Sequence, residues 1–247
     1  MALIHSFEDD GNWLFKRRGF IPVVLFVMAV PAVYFTDYSA ITGSLARSIN
    51  YLAVILSVAG FAVRAYTIGT TPRGTSGRNT DKQVAEQLNT SGIYSMVRHP
   101  LYLGNYLMWI GIVLFTKNFS FTIIVSLLYW IYYERIMFAE ERFLEKKFGN
   151  VYLEWSKKVP AFIPRMGSFR KSEVSFSLKS VLRREYSGVL ATVIGFVYVE
   201  ALMGYFKWQV FHIGEKFLFV LGVAALAALV LRSLKHYTKV LSEEGRS

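Results

Sequence analysis

Apolar residues fall in six runs along the chain, and polar residues gather in the breaks between them. The runs cover Gly19–Phe35, Ile49–Ile68, Leu101–Phe115, Phe119–Phe138, Val189–Phe206 and Phe217–Leu234. Most are near the length a helix needs to cross roughly 30 Å of hydrocarbon at about 1.5 Å per residue. The pattern predicts an all-α, polytopic membrane protein with six transmembrane helices. Pro22 and Pro31 lie in the first run, which predicts a kinked or tilted helix there. Thr116-Lys117-Asn118 is so brief that the third and fourth spans must form an antiparallel hairpin.

Two polar stretches are long enough to carry chemistry, Gly69–His99 and Ala139–Ser187. Within the second, Ala139–Lys158 alternates charges with Phe143, Leu144, Phe148, Tyr152 and Trp155 at helical spacing. That spacing predicts an amphipathic helix lying at the membrane interface. Pro160–Ser180, with Pro160, Pro164, Gly167 and several serines, reads as a linker. The expected organisation is a four-helix membrane core over residues 1–165, a linker over 166–186 and an appended helical pair over 187–247.

Composition agrees with the pattern, at 53% hydrophobic residues and a net charge of +11. In a soluble protein such a charge would raise nucleic acid as a partner. Here its distribution explains it. Lys16, Arg17 and Arg18, then Arg73, Arg78, Lys82 and Arg98, then the basic residues from Arg142 to Arg184, then Arg232, Lys235, Lys239 and Arg246 fall on one side of the six spans. The opposite loops hold Arg47, Lys117 and Lys207, with Lys216 at a helix edge. Positive charge concentrates on the cytoplasmic side of membrane proteins, so both termini are expected there and no nucleic-acid partner is expected. No small-residue cleavage site follows the first run, which reads as a retained helix and not a signal peptide. The chain has no cysteine, which excludes disulfides, thiolate metal sites and cysteine nucleophiles. His5, His99, His212 and His236 are scattered, and no metal site is expected.

Three constellations stand out. Arg98-His99-Pro100 opens the third span. It can be an ordinary helix start with Pro at the first position, or a place where backbone N–H groups, Arg98 and His99 hold an anion. Glu134, Glu140, Glu141 and Glu145 extend the fourth span beyond the membrane, beside Arg135, Arg142, Lys146 and Lys147. They read either as a solvated, internally paired face or as partners for a cationic ligand. Gly69–Thr80 mixes small residues and hydroxyls with Arg73 and Arg78, as a flexible loop or an anion cradle would. Arg64, embedded in the second span, is a functional candidate by its position alone.

The run Gly92-Ile93-Tyr94-Ser95-Met96-Val97-Arg98-His99-Pro100-Leu101-Tyr102-Leu103-Gly104 resembles the signature of the isoprenylcysteine carboxyl methyltransferases and related phospholipid methyltransferases. So do Glu140-Glu141, the block Phe148–Trp155, Val159-Pro160 and Pro164, in the same order. The resemblance spans Glu86–Pro164, about a third of the chain. It implies S-adenosylmethionine as cofactor, lined by Glu86, Gln87, Leu88, Asn89, Tyr94, His99, Pro100, Leu101, Tyr102, Gly104 and Glu140. Arg98, His99, Glu140 and Glu141 would be the catalytic residues, and Arg64, Arg73, Arg78 and Arg135 would face the substrate. The family often places an arginine one turn before the glutamate; here that position is Ile136, with Arg135 five residues before Glu140. Sterol-type membrane reductases, which use NADPH, carry a similar Arg-His-Pro segment. They usually have Asn after the Pro and Asp after the Gly, where this chain has Leu101 and Asn105.

The arginines suit an anionic acceptor better than an amine, and an ionised oxygen needs no general base. A lipid phosphate of the lipid A type is therefore the leading expectation, followed by an isoprenylcysteine carboxylate and then a phosphatidylethanolamine-type amine. A reductase or a non-enzymatic membrane protein are the alternatives of other classes.

Overall fold

The computed structural model describes residues 2–72 and 85–245. Eight α-helices make up the described chain: α1 (Leu3–Arg17), α2 (Ile21–Tyr34), α3 (Gly43–Gly69), α4 (Pro100–Phe115), α5 (Phe119–Phe148), α6 (Asn150–Ser156), α7 (Leu178–Trp208) and α8 (Glu215–Tyr237). Among the described residues the only β feature is an isolated bridge between Gly92 and Arg170. Four helices, α3, α5, α7 and α8, are long and apolar enough to cross a membrane, and Val23–Tyr34 and Pro100–Phe115 are shorter apolar helices. Together they correspond to the six predicted runs. Val54, Ile55, Ile123, Leu127, Phe219 and Leu226 are exposed, as side chains facing lipid would be.

The helices meet by different physical means. Between α3 and α4 the contact is made by small residues: a Cβ on Gly60 or Gly111 would collide with the backbone of the opposite helix. The hydroxyl of Ser57 donates to the Met108 carbonyl at 2.9 Å. Close backbone approach of this kind gives van der Waals packing where lipid removes the hydrophobic drive between helices. Elsewhere apolar side chains do the packing, with Ala29, Val33, Val113, Phe121, Val125 and Leu202 forming one cluster across α2, α4, α5 and α7. The predicted hairpin between α4 and α5 turns at Lys117, with φ at 63°. Asn118 then caps α5 by accepting from the Phe121 N–H at 2.8 Å.

The polar N-terminus forms the amphipathic helix α1, which packs along α5 with Gly11 against the Arg135 carbonyl and Ala139. One expectation is corrected: Ala139–Lys158 is not one interfacial helix. α5 runs straight on to Phe148, and the chain breaks at Gly149, whose φ of 54° and ψ of −130° only glycine adopts readily, before α6. α7 begins at Leu178, within the stretch 166–186 read as a linker, and packs on α2, α3 and α4. Its start is pinned by the Ser177 N–H donating to the Gly69 carbonyl at 2.8 Å.

Candidate active site

The centre of the site is the entrance to α4. Pro100 is the first residue of that helix, as its missing N–H favours. The chain before it is stitched to the segment after α6: the Arg98 N–H donates to the Pro160 carbonyl at 2.9 Å, His99 to Ala161 at 3.1 Å and Arg165 to Met96 at 3.0 Å. Val97 is fully buried in this seam. Two sequence blocks some sixty residues apart are therefore one physical object, which is why they occur together.

The seam also changes one reading of the sequence. The N–H groups of Arg98 and His99 are committed to the carbonyls of Pro160 and Ala161, so anion binding by backbone N–H groups, one of the two readings of this helix start, cannot draw on them.

His99 is 7% exposed, and both of its ring nitrogens face carboxylates from α5. Nε2 lies 2.9 Å from Glu141 Oε1 and Nδ1 lies 3.4 Å from Glu140 Oε2. Arg98 braces the same Glu141 oxygen through Nε at 2.9 Å, and its Nη1 donates to the Ser156 carbonyl at 2.7 Å. Burial pulls the His99 pKa down, but the hydrogen bonds and charges of Glu140 and Glu141 outweigh it and the net shift is upward. Burial likewise pushes Glu141 up, and its hydrogen bond to His99 with the charges of His99 and Arg98 brings it below the usual carboxylate range. The two carboxylates on either side of the imidazole thus favour its charged form.

Aromatic groups enclose this core. The His99 ring stacks on Tyr102 at 5.7 Å, and Tyr102 lies 4.8 Å from Tyr133. Burial first, and the charge of Glu140 second, push the Tyr94 phenol above its ordinary range. The Tyr152 hydroxyl interacts with Glu141, while the Trp155 indole nitrogen is buried without a partner among the described residues. A buried donor of that kind calls for a ligand or water.

The structure brings Arg98, His99, Glu140, Glu141, Pro100 and Tyr102 together and holds Tyr94 within the field of Glu140. Leu101, at the first turn of α4, is half-buried. Glu86 and Gln87 are exposed, Leu88 and Asn89 half-buried, and Asn89 accepts from the Ser91 N–H at 3.3 Å. Arg73 and Arg78 lie outside the described residues.

Arg64 and Arg135 depart from expectation. Arg64 donates through Nε and Nη2 to both oxygens of Glu185, at 2.7 and 2.6 Å, and through Nη1 to Asn105 at 2.6 Å. Its charge is matched inside the protein, so it offers none to a substrate anion. Gly104 has a corresponding role: a Cβ there would collide with the Arg64 side chain. Arg135 sits 3.4 Å above the Phe7 ring of α1. Five residues from Glu140 is about 140° around a helix, so Arg135 points away from His99.

Glu185, Asn105, Tyr152 and Trp155 were not singled out by sequence reasoning as site residues. The sequence signals only that an arginine buried in a span requires a counter-charge; which carboxylate supplies it is not marked, and Glu185 lies at the head of the fifth apolar run.

Comparison with known proteins bears on the same residues. The family described as "Phospholipid methyltransferase" matches residues 45–151, from α3 to α6. The protein-S-isoprenylcysteine O-methyltransferase of Schizosaccharomyces pombe is 39% identical over 77 residues, 31% of this chain and 33% of that protein. Over these residues the chain is similar to the isoprenylcysteine and phospholipid methyltransferases. The Saccharomyces cerevisiae protein-S-isoprenylcysteine O-methyltransferase is 29% identical over 137 residues, 55% of this chain and 57% of that protein. The cobalt-zinc-cadmium resistance protein CzcN of Cupriavidus metallidurans is 36% identical over 83 residues, 34% of this chain and 38% of that protein. The matched segment covers about a third of the first of these relatives. No solved structure matches the chain.

Proposed function

We propose that this protein is an integral membrane methyltransferase that uses S-adenosylmethionine to esterify the carboxylate of a lipidated, isoprenylcysteine-type substrate. The observation that carries the reading is His99 held between Glu140 and Glu141 at the entrance to α4. When bound, S-adenosylmethionine supplies a methyl group on a cationic sulfur. The residues present fit such a group. Glu140, about a quarter exposed and 3.4 Å from His99, has capacity for a second cation. Tyr94, Tyr152 and Trp155 supply aromatic faces, and the Trp155 indole nitrogen is a buried donor without a partner among the described residues.

The residues of this chain then have separable tasks. His99 and Arg98 fix Glu141 and so the pitch of α5 against α4. Glu140 attracts the cationic donor. Glu86, Gln87, Leu88 and Asn89 border the approach, as the resemblance implies. A carboxylate acceptor is ionised near neutral pH, and no side chain has to remove its proton. An amine acceptor would need a base, and the carboxylates on either side of His99 favour its charged form.

Two findings move the acceptor from lipid phosphate to isoprenylcysteine carboxylate. Arg64, expected to receive the phosphate, is neutralised by Glu185, and relatives matching over the site carry the isoprenylcysteine name. The proposed orientation places both termini in the cytoplasm, supported by the charge asymmetry of the loops.

Binding tests the reading. Detergent-purified protein is expected to take up S-adenosylhomocysteine at micromolar levels, and Glu140→Gln to weaken that uptake on the order of tenfold. NADPH binding in its place would replace the methyltransferase by a reductase. Methylation of a farnesylcysteine analogue, against a lipid phosphate offered in parallel, decides the acceptor.

A further inference from the structure

A cavity of about 230 Å³ lies inside the membrane-spanning bundle. One face of α4 lines it through Asn105, Met108, Ile112 and Thr116, opposite Gly188, Ala191 and Thr192 of α7, with Ala29 of α2 alongside. Asn105 and Thr116 are eleven residues apart, about 16 Å along a helix. A cavity of that volume, lined along that length of α4, suits a single hydrocarbon chain.

The polar end is closed by Arg64 and Asn105. All three guanidinium nitrogens of Arg64 are engaged, two by Glu185 and one by Asn105. Glu185 is 1% exposed and does not line the cavity; it stands behind Arg64 and cancels its charge. An arginine left uncancelled at this depth would demand an anion from whatever entered. Glu185 lies on α7, beyond the matched residues 45–151.

We propose that Glu185 is a specificity-determining residue: by neutralising Arg64 it makes this cavity accept a single uncharged hydrocarbon chain, the prenyl-type tail of the methyl acceptor. The identity of that occupant rests on the lipidated acceptor proposed above. The acceptor's own carboxylate then stays out of the cavity, at the Glu140 and His99 end of the protein.

Photolabelling of the full chain in nanodiscs tests this without cofactor or turnover, so it can fail while S-adenosylhomocysteine uptake succeeds. The probes are a diazirine-bearing dodecanol, the matching dodecanoate and a diacylglycerol with the same group, with labelled residues mapped by mass spectrometry. Dodecanol is expected to label the α4 and α7 walls of the wild type on the order of tenfold better than dodecanoate, and Glu185→Gln to reverse the preference. Equal labelling by dodecanoate in the wild type, an unchanged preference in Glu185→Gln, or labelling of these walls by the diacylglycerol overturns the proposal. If Glu185→Gln does not fold, the charge-free pair Arg64→Met with Glu185→Met is expected to keep the dodecanol label, and its loss is equally fatal. Ala29→Trp fills the cavity and is expected to abolish labelling; persistent labelling would place the chain elsewhere.

Discussion

At the scale of single residues, this site is an arrangement of compensated charge. Arg98 and His99 share one oxygen of Glu141, and the second His99 nitrogen faces Glu140. The resulting pH dependence has a definite sign. His99 has a folded pKa above its usual 6.5, so its contribution to stability is full below pH 6.5 and is lost as pH rises through the raised value. Glu141 has a folded pKa below its usual 4.5, so its contribution is full above pH 4.5 and is lost as pH falls through the lowered value. Both are complete between about pH 4.5 and 6.5. Thermal unfolding in detergent is expected to peak in that window, and His99→Gln to flatten the decline on its alkaline side. An unaltered alkaline limb would remove the imidazolium from the account. Glu141→Gln leaves two cations facing a neutral amide. Breaking a buried pair costs about 3–5 kcal/mol; with Glu141 about a quarter exposed, a loss of about 2 kcal/mol is expected in denaturant titration.

Elements are positioned here by small residues as much as by large ones. Gly60, Gly104 and Gly111 let α3 and α4 approach until a Cβ has no room, and Gly104 also lets Arg64 pass towards Glu185. Gly104→Ala is expected to lower stability by about 1–3 kcal/mol, as overpacking does, and to reduce S-adenosylhomocysteine binding as well, because α4 carries His99 at its entrance. A glycine-tolerant result, with unchanged melting and binding, would mean that α3 and α4 are not set by this contact. Gly149 is different. Nothing stands near a Cβ there, but its φ of 54° is unfavourable for other residues. Gly149→Ala is expected to cost about 1–3 kcal/mol through backbone strain alone, without altering the α3–α4 packing.

For the whole molecule, the question is which side of the membrane holds this machinery. The absence of native cysteine makes single-cysteine labelling clean. Ser6→Cys and Ser242→Cys in oriented vesicles are expected to react from the cytoplasmic side, and Ser39→Cys from the opposite side. Any pair of termini on different faces would break the six-span topology. The bundle is also larger than its recognisable motif. α7 joins α2, α3 and α4, and α8 packs on α7 with only Ala228 buried along its length. The packed bundle therefore includes α7, with α8 left as the peripheral helix.

The six apolar runs, the hairpin at Thr116–Asn118 and the helix start at Pro100 were all legible along the chain, as were the motif blocks that hold Arg98, His99, Glu140 and Glu141. Each depends on local length, local propensity or a compact motif, and those are properties of neighbours in sequence. The partner of Arg64 was not legible, because Glu185 lies 121 residues away and a single charge ahead of an apolar run has no sequence pattern of its own. For the same reason Arg135 read as a substrate contact until helical phase turned it towards Phe7. Spacing determined which groups this protein could use. Only the tertiary packing, through close approach of α3 to α4 and of α7 to both, decided which charges cancel one another and which remain for a ligand.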